Sequence, residues 1–174
     1  MTASSETTPV GRGQRLVYRG PPIEVLYRDY ACRRRIDPAA PITASHEVVI
    51  DAPVQRVWQL LSRPQGWSDM DADISDVRLD GEVIEGAGFT WRNGRTRLTS
   101  RFAVVDEDRE LTWTGAARGA KAVHRHVLTP TDDGRTRLFT EESMSGTGLV
   151  LFFSSAKLRA ALEKWLSAIA AAAR

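Results

Sequence analysis

The sequence predicts an α+β domain in which a curved antiparallel sheet of about seven strands wraps around one long C-terminal helix. Six strand-like segments, separated by turn signals, follow one another from residue 74 onward, and an apolar helix at 148–172 ends the chain. A sheet with one apolar face must bury that face against another element, and this helix is the only long one available. A sheet wrapped around a helix leaves a hollow between them, so we expect an internal binding chamber.

The other elements of the domain are justified in chain order. Strand Ala44–Ile50 opens the domain, and Asp51 is the expected N-cap of a helix that has Pro53 in its first turn. A second short helix is expected around Trp67. Alternating apolar and polar residues between Gly- and Asp-rich turns then predict six strands. These strands are Ile74–Leu79, Gly88–Arg92, Arg97–Val105, Glu110–Ala116, Val123–Leu128 and Arg137–Met144.

The residues before the domain form two segments of different composition. Residues 1–13 are small and polar, which predicts a disordered tail. Residues 14–42 form an extension in which two prolines, at 21 and 22, can open a helix. The expected apolar face of this helix carries Ile23, Leu26, Tyr27 and Tyr30. We expect a docked helix that covers apolar surface, with a lid over the chamber or a dimer contact as alternatives, and a ligand-binding domain at 43–174.

Composition argues against several classes of protein. The 174 residues carry a formal net charge of +2, and residues 43–174 are nearly neutral, which argues against nucleic acid as a partner because phosphate binding needs a clustered basic face. Cys32 is the only cysteine, so no intrachain disulfide can form and a reducing cytoplasm is expected. No signal peptide or membrane span is predicted. The predominance of Arg over Lys is typical of a GC-rich bacterial genome, and we expect a monomer or homodimer.

Strand alternation predicts the lining of the chamber, because successive residues point to opposite faces of a sheet. The more apolar face of each strand is taken as the inner one, which gives an aromatic lining suited to an aromatic or polycyclic ligand. The expected lining is Phe89, Trp91, Phe102, Trp113 and Met144, with Phe152 and Phe153 from the long helix. In the third of the six strands, Leu98, Ser100, Phe102 and Val104 are expected to share one face. The expected polar points are His124, His126, Thr140 and Glu142.

The polar points lead to an acid–base hypothesis. Glu142 and either His124 or His126 would lie on adjacent strands, where a carboxyl group and an imidazole can exchange protons. Such a pair can promote enolisation, aldol closure or dehydration of a polyketone. The structural alternative is that Glu142 pairs with an arginine and the histidines are satisfied polar residues near the rim.

Metal-binding patterns in the sequence are incomplete. His46 can join the two other histidines, but no further zinc ligand is evident. Asp69, Asp71 and Asp73 have the spacing of a calcium loop, but Ile74 stands where that loop needs glycine. We therefore expect no metal and no other cofactor.

Several segments resemble a known family. Val48–Trp58 resembles the first strand and helix of the START-like, Bet v 1-like (SRPBCC) superfamily, and it is more narrowly similar to bacterial polyketide cyclase/dehydrase and lipid-transport proteins. The resemblance covers about residues 43–172 and implies the helix-grip fold. The supporting segments are Trp67, Phe89–Trp91, Leu111–Gly115, His124–Leu128 and Gly134–Gly146.

The resemblance leaves three functional hypotheses open, because one fold serves many functions. The first is a protein that binds a hydrophobic small molecule, such as a polyketide, an aromatic secondary metabolite or a lipid, as a carrier or as a sequestering self-resistance (antibiotic resistance) factor. The second is a polyketide cyclase or dehydratase that uses Glu142 with His124 or His126. The third is a co-chaperone-like interaction domain, which predicts a filled core.

Overall fold

The elements of the chain are known from a computed structural model, which describes residues 18–174. The tail predicted at 1–13 lies outside the described residues. The strands are β1 (Ile42–Ile50), β2 (Ile74–Leu79), β3 (Gly88–Asn93), β4 (Thr96–Asp106), β5 (Glu110–Ala117), β6 (Ala120–Pro130) and β7 (Thr136–Ser145). The helices are α1 (Ile23–Val25), α2 (Val54–Leu61), α3 (Trp67–Met70) and α4 (Ser155–Ala173).

The strands form one antiparallel sheet in the order β1-β7-β6-β5-β4-β3-β2. Strands β2 to β7 follow each other in the sheet as they do in the chain, and β1 pairs with β7. The inner face of the curved sheet packs on α4, with α2 and α3 beside it. This arrangement confirms the predicted α+β helix-grip fold.

Helix α4 begins at Ser155, seven residues after the predicted start. Gly148 has a left-handed φ of 71°, which favours glycine, and Leu149–Leu151 form a 3-10 turn. Ser154 caps the helix, because its Oγ accepts a hydrogen bond from the backbone N–H of Lys157 at 3.2 Å. The predicted start was wrong because the apolar residues 149–153 continue the helical pattern, whereas Gly148 and the cap interrupt it.

Helix α2 begins at Val54, directly after Pro53, whose backbone is extended. Asp51, the predicted N-cap, lies outside this boundary, and no side-chain cap is present. Packing decides the position of this helix, since its buried side chains Val54, Val57, Trp58 and Leu61 all belong to the main core.

A β-bulge at Ala103 changes the alternation of β4. Phe102 lies opposite Trp113, but the next paired residue, Val104, lies opposite Thr112. The extra residue shifts the faces, so Val105 packs against the inner core and Ala103 packs on the outer face of the sheet. The prediction that Val104 shares a face with Phe102 was therefore wrong.

The extension packs on the outer face of the sheet. After α1, Leu26–Tyr30 form a π-helical segment and Ala31–Arg33 a 3-10 turn. Leu26 and Ala31 are buried against Ala103 of β4 and Val123 of β6. This face is opposite to the one that grips α4, so the described part of the extension covers apolar sheet surface.

Arg34, directly after the 3-10 turn, anchors the extension to the sheet. This residue has a left-handed φ of 57°, and its guanidinium group lies 2.9 Å from Asp106 Oδ2 and 3.4 Å from Glu110 Oε2. Glu110 is nearly buried and is also bound by Arg125 Nη2 at 3.0 Å. Arg125 in turn binds Glu141 at 2.9 Å. The extension is therefore joined to an ion-pair network that crosses β5, β6 and β7 on their outer face.

Candidate functional site

A cavity of about 230 Å³ lies between the inner face of the sheet and α4. Four tryptophans contribute to its wall: Trp67, Trp91, Trp113 and Trp165. The ring of Trp67 lies at the centre of this group, 5.4 to 6.0 Å from the other three rings. Two of these tryptophans were absent from the predicted lining, which was drawn mainly from the strands. Trp67 belongs to a short helix, and Trp165 belongs to the apolar stripe of α4.

The predicted lining residues separate into three groups. Four of them border the cavity, as predicted: Trp91, Trp113, Met144 and Phe153. Phe89 and Phe102 do not border it; they stack on each other at 4.4 Å behind the wall, in the fully buried core. Phe152 is 77% exposed in the loop before α4. The two phenylalanines of the sheet therefore support the wall, and Phe152 lies outside it.

The polar points form one chain of hydrogen bonds across β6 and β7. Glu142 lies opposite His124, and Thr140 lies opposite His126 in the strand register. Glu142 Oε2 is 2.8 Å from His124 Nδ1, His124 Nε2 is 2.9 Å from His126 Nε2, and His126 Nδ1 is 2.5 Å from Thr140 Oγ1. The structure thus brings together all four polar residues that strand alternation placed on the inner face.

The contact with Trp165 decides which of two proton arrangements this row of hydrogen bonds has. An indole N–H can only donate, and Trp165 Nε1 lies 3.4 Å from His126 Nε2. His126 Nε2 is therefore an acceptor, so His124 Nε2 donates to it. His126 then carries its own proton on Nδ1 and donates to Thr140 Oγ1. One proton remains in the contact between His124 Nδ1 and Glu142.

Only two of the four hydrogen-bonded side chains face the cavity. The side chains of His124 and Glu142 are 13% and 14% exposed, and both border the cavity, whereas His126 and Thr140 are fully buried. The exchangeable proton is thus held by the two groups that a ligand can touch. His126, predicted as an alternative partner of Glu142, contacts His124 instead and lies behind it.

Burial determines the charge of His126. Removal from water, and then the nearby charge of His124, lower the pKa of His126 well below its ordinary value of 6.5. The ring is therefore neutral near pH 7, in agreement with one proton on Nδ1. His124 is held by a second contact, because its ring stacks on Trp113 at 4.4 Å with the planes 12° apart. The imidazole that faces the cavity is thus fixed from two sides.

The structural alternative expected Glu142 to pair with an arginine, but the neighbouring Glu141 has that partner. Glu141 points to the outer face of the sheet and binds Arg125, whereas Glu142 points inward and binds His124. An arginine partner therefore exists, but for the adjacent residue of the strand. This leaves Glu142 with an imidazole partner and a second oxygen, Oε1, for which residues 18–174 supply no hydrogen bond.

A lysine bridges two aspartates at the polar end of the cavity. Lys164 Nζ, on α4, lies 2.7 Å from Asp71 Oδ1 and 2.5 Å from Asp73 Oδ2, and all three residues border the cavity. The bridge joins the loop before β2 to α4. Sequence reasoning considered these aspartates only as a calcium loop and did not pair them with a residue far along the chain.

The described residues offer no cluster suited to a metal. Residues 18–174 contain no group of three or more His, Cys, Asp or Glu side chains that could hold an ion. His46, the third histidine of the zinc pattern, has its Nδ1 3.9 Å from Glu163 Oε1. Within the same range, no helix has the length and hydropathy needed to cross a membrane.

Comparisons with known proteins agree with this architecture. The sequence model of the family described as "Polyketide cyclase / dehydrase and lipid transport" matches residues 41–174. No curated protein sequence matches the chain. Many solved structures do match, and those described next are less than 25% identical to this chain, so their likeness establishes the fold alone.

Three of these structures illustrate the range. The hypothetical protein jhp0584 from Helicobacter pylori has a TM-score of 0.71 at 18% identity, over 79% of this chain and 90% of its own. Norcoclaurine synthase from Thalictrum flavum, as a point mutant in complex with a transition-state analogue, has a TM-score of 0.59 at 12% identity, over 75% and 92%. DynU16, from the dynemicin biosynthetic locus, has a TM-score of 0.60 at 18% identity, over 74% and 46%.

Proposed function

Because the chain belongs to the polyketide cyclase/dehydrase and lipid transport family, we propose that it binds a small aromatic molecule of polyketide type in the cavity between the sheet and α4. The cavity itself carries this proposal. Its volume of about 230 Å³ exceeds the roughly 150 Å³ that accommodates one benzene ring, so a substituted ring or two fused rings would fit.

The lining supports an aromatic ligand. Four indole rings provide flat apolar surfaces, and such rings favour stacked or edge-to-face contacts with another ring. The charged and titratable lining groups form two sets, the Glu142–His124 pair and the bridge from Lys164 to the two aspartates, and such placed polar groups are the usual way in which a cavity orients a ligand. The co-chaperone-like alternative predicts a filled core and receives no support from a cavity of this size. The names of norcoclaurine synthase and DynU16 associate the same fold with small-molecule chemistry.

Acid–base catalysis is the second candidate function, and the Glu142–His124 contact favours it. While the shared proton stays between His124 Nδ1 and Glu142 Oε2, Glu142 Oε1 can take a proton from the carbon next to a ligand carbonyl and then return it to the oxygen of the enolate that forms. His124 Nε2 keeps its bond to His126 throughout, so the imidazole does not rotate. A carrier would use the same two groups only as hydrogen-bond partners.

Binding and turnover can be tested separately. Naphthol, a bicyclic aromatic alcohol, serves as the binding probe, because its emission and the quenching of the four cavity tryptophans report occupancy. We expect saturable binding of one naphthol per chain. Trp91→Ala should weaken this binding, whereas Ile84→Ala, at an exposed apolar position elsewhere, should not. Binding that does not saturate, or that Trp91→Ala leaves unchanged, would contradict the proposed function.

The enzyme candidate is tested with an aryl β-diketone in deuterated water, where carbon-bound deuterium reports enolisation. Glu142→Gln keeps the size of the side chain but removes the proton acceptor. If the pair is catalytic, exchange should fall by about two orders of magnitude or more. Exchange by the wild type at the rate of buffer alone would leave the carrier function as the proposal.

A further inference from the structure

The loop Gly146–Ser154 exposes two large apolar side chains beside the cavity. Leu151 is 66% exposed and Phe152 is 77% exposed. They are adjacent, at the last residue of a 3-10 turn and the residue after it, whereas the other large apolar residues exposed within 18–174, Val49 and Ile84, are single. Isolated exposed apolar residues are common, whereas contiguous exposed apolar surface is typical of interaction sites.

The same loop forms part of the cavity wall. Phe153 directly follows the protruding pair and borders the cavity together with Met144 and Leu158. Leu149, Val150 and Phe153 pack against a cluster that also contains Leu158 of α4. The protruding side chains are therefore connected to the ligand site through one neighbouring residue.

A basic groove adjoins this loop at the β5–β6 hairpin. Gly146 touches the hairpin so closely that a Cβ there would lie 2.8 Å from Gly119 O. Among residues 18–174, the groove is lined by four cationic side chains and by no carboxylate: Arg19, Arg97, Arg118 and Lys121, with Thr147 of the loop beside them. Within residues 18–174 these three arginines form no ion pair, and Lys121 binds the carbonyl oxygens of Gly20 and Pro21.

The spacing of the cations suits an extended anionic surface. Arg97 on β4 and Lys121 on β6 are separated by β5, so their strands lie about 10 Å apart. Ala116 and Ala117 form the floor between them, and the groove is open to solvent. An open floor flanked by separated charges gives a small ligand little enclosure. The residues that line the groove therefore carry positive charge, although residues 43–174 are nearly neutral as a whole.

We propose that the loop Gly146–Ser154 and the adjacent basic groove dock this protein on an anionic lipid surface, with Leu151 and Phe152 inserted among the lipids. A convex apolar pair fits a fluid phase, whereas a protein partner would need a matching pocket for it. Apolar insertion and attraction of cations to anionic headgroups act together in such binding. The inference rests on the proposed function only in its purpose, which is to pass a hydrophobic ligand between lipid and cavity.

Vesicle flotation tests the proposal. The full chain is mixed with phosphatidylcholine vesicles, with or without about 30% phosphatidylglycerol, the anionic lipid that supplies the negative surface potential. We expect binding to the anionic vesicles that decreases with salt. The double variant Leu151→Ser/Phe152→Ser should bind roughly tenfold less well, because it loses apolar surface that lipid would bury. Arg118→Ser should bind about fivefold less well, as expected for one cation near an anionic surface.

Matched controls separate docking from other effects. Ile84→Ser removes an exposed apolar residue elsewhere, and Arg109→Ser removes an exposed cation at the opposite end of β5. Both should bind vesicles as the wild type does. Absence of binding to anionic vesicles, or equal binding by the double variant, would overturn the proposal. Naphthol binding measured without vesicles reports the cavity independently and should persist in the double variant, so the two proposals can fail separately.

Discussion

The neutral state of His126 makes the stability of the protein depend on pH in a defined window. The pKa of His126 is lowered well below 6.5 in the folded chain, whereas in the unfolded chain it has its ordinary value. Below about pH 6.5 the unfolded chain therefore binds a proton that the folded chain does not bind, so stability falls as pH decreases. For one such proton the loss between about pH 7.5 and pH 5.5 is about 1.4 kcal/mol.

His126→Gln removes this proton while keeping a side chain that can donate and accept. The variant loses the bonds to His124 and Thr140, so it should be less stable than the wild type at neutral pH. Its free energy of unfolding should nevertheless decrease by about 1.4 kcal/mol less than that of the wild type over the same interval. Urea denaturation at several pH values gives, for each protein, the slope of the free energy of unfolding against pH. Parallel slopes would refute the assignment of a buried neutral His126.

Three further outcomes follow from the packing and the polar end of the cavity. Leu26→Ala should lower the free energy of unfolding by about 2–5 kcal/mol in urea denaturation, because Leu26 of the extension is 2% exposed where it packs on the outer face of the sheet. Trp91→Ala should weaken naphthol binding about tenfold in a fluorescence titration, since it removes a ring contact and apolar wall. Lys164→Met should speed naphthol dissociation in stopped-flow measurements, because it unties Asp71 and Asp73 from α4; an unchanged rate would show that the bridge does not restrict exit.

Local signals in the sequence account for most of the sheet. Asn93–Gly94 and Asp80–Gly81 each mark the end of a strand, and β2 has the predicted bounds. Strand alternation placed His124 and Glu142 on one face correctly, because both strands are regular there. Where a strand is regular, period-two patterning is enough to assign faces.

Features that depend on distant contacts could not be predicted in this way. The bulge at Ala103 has no local signature, since its residue packs under an extension that lies about 70 positions earlier in the chain. The bridge from Lys164 to Asp73 joins residues 91 positions apart. Phe152 was misplaced because hydropathy alone does not distinguish a helix from an apolar loop.

The outer ion-pair network has a consequence for the cavity. Arg125 lies between His124 and His126 on β6, and Glu141 precedes Glu142 on β7, so the two faces of these strands carry different polar pairs. A slip of β6 by one residue would turn Arg125 into the cavity, and a slip of β7 by one residue would turn Glu142 out of it. Arg125 is held on the outer face by Glu110 and Glu141. Arg34 of the extension also binds Glu110. Because these charges lose their partners in any slipped pairing, the outer network specifies the register that places Glu142 and His124 inside.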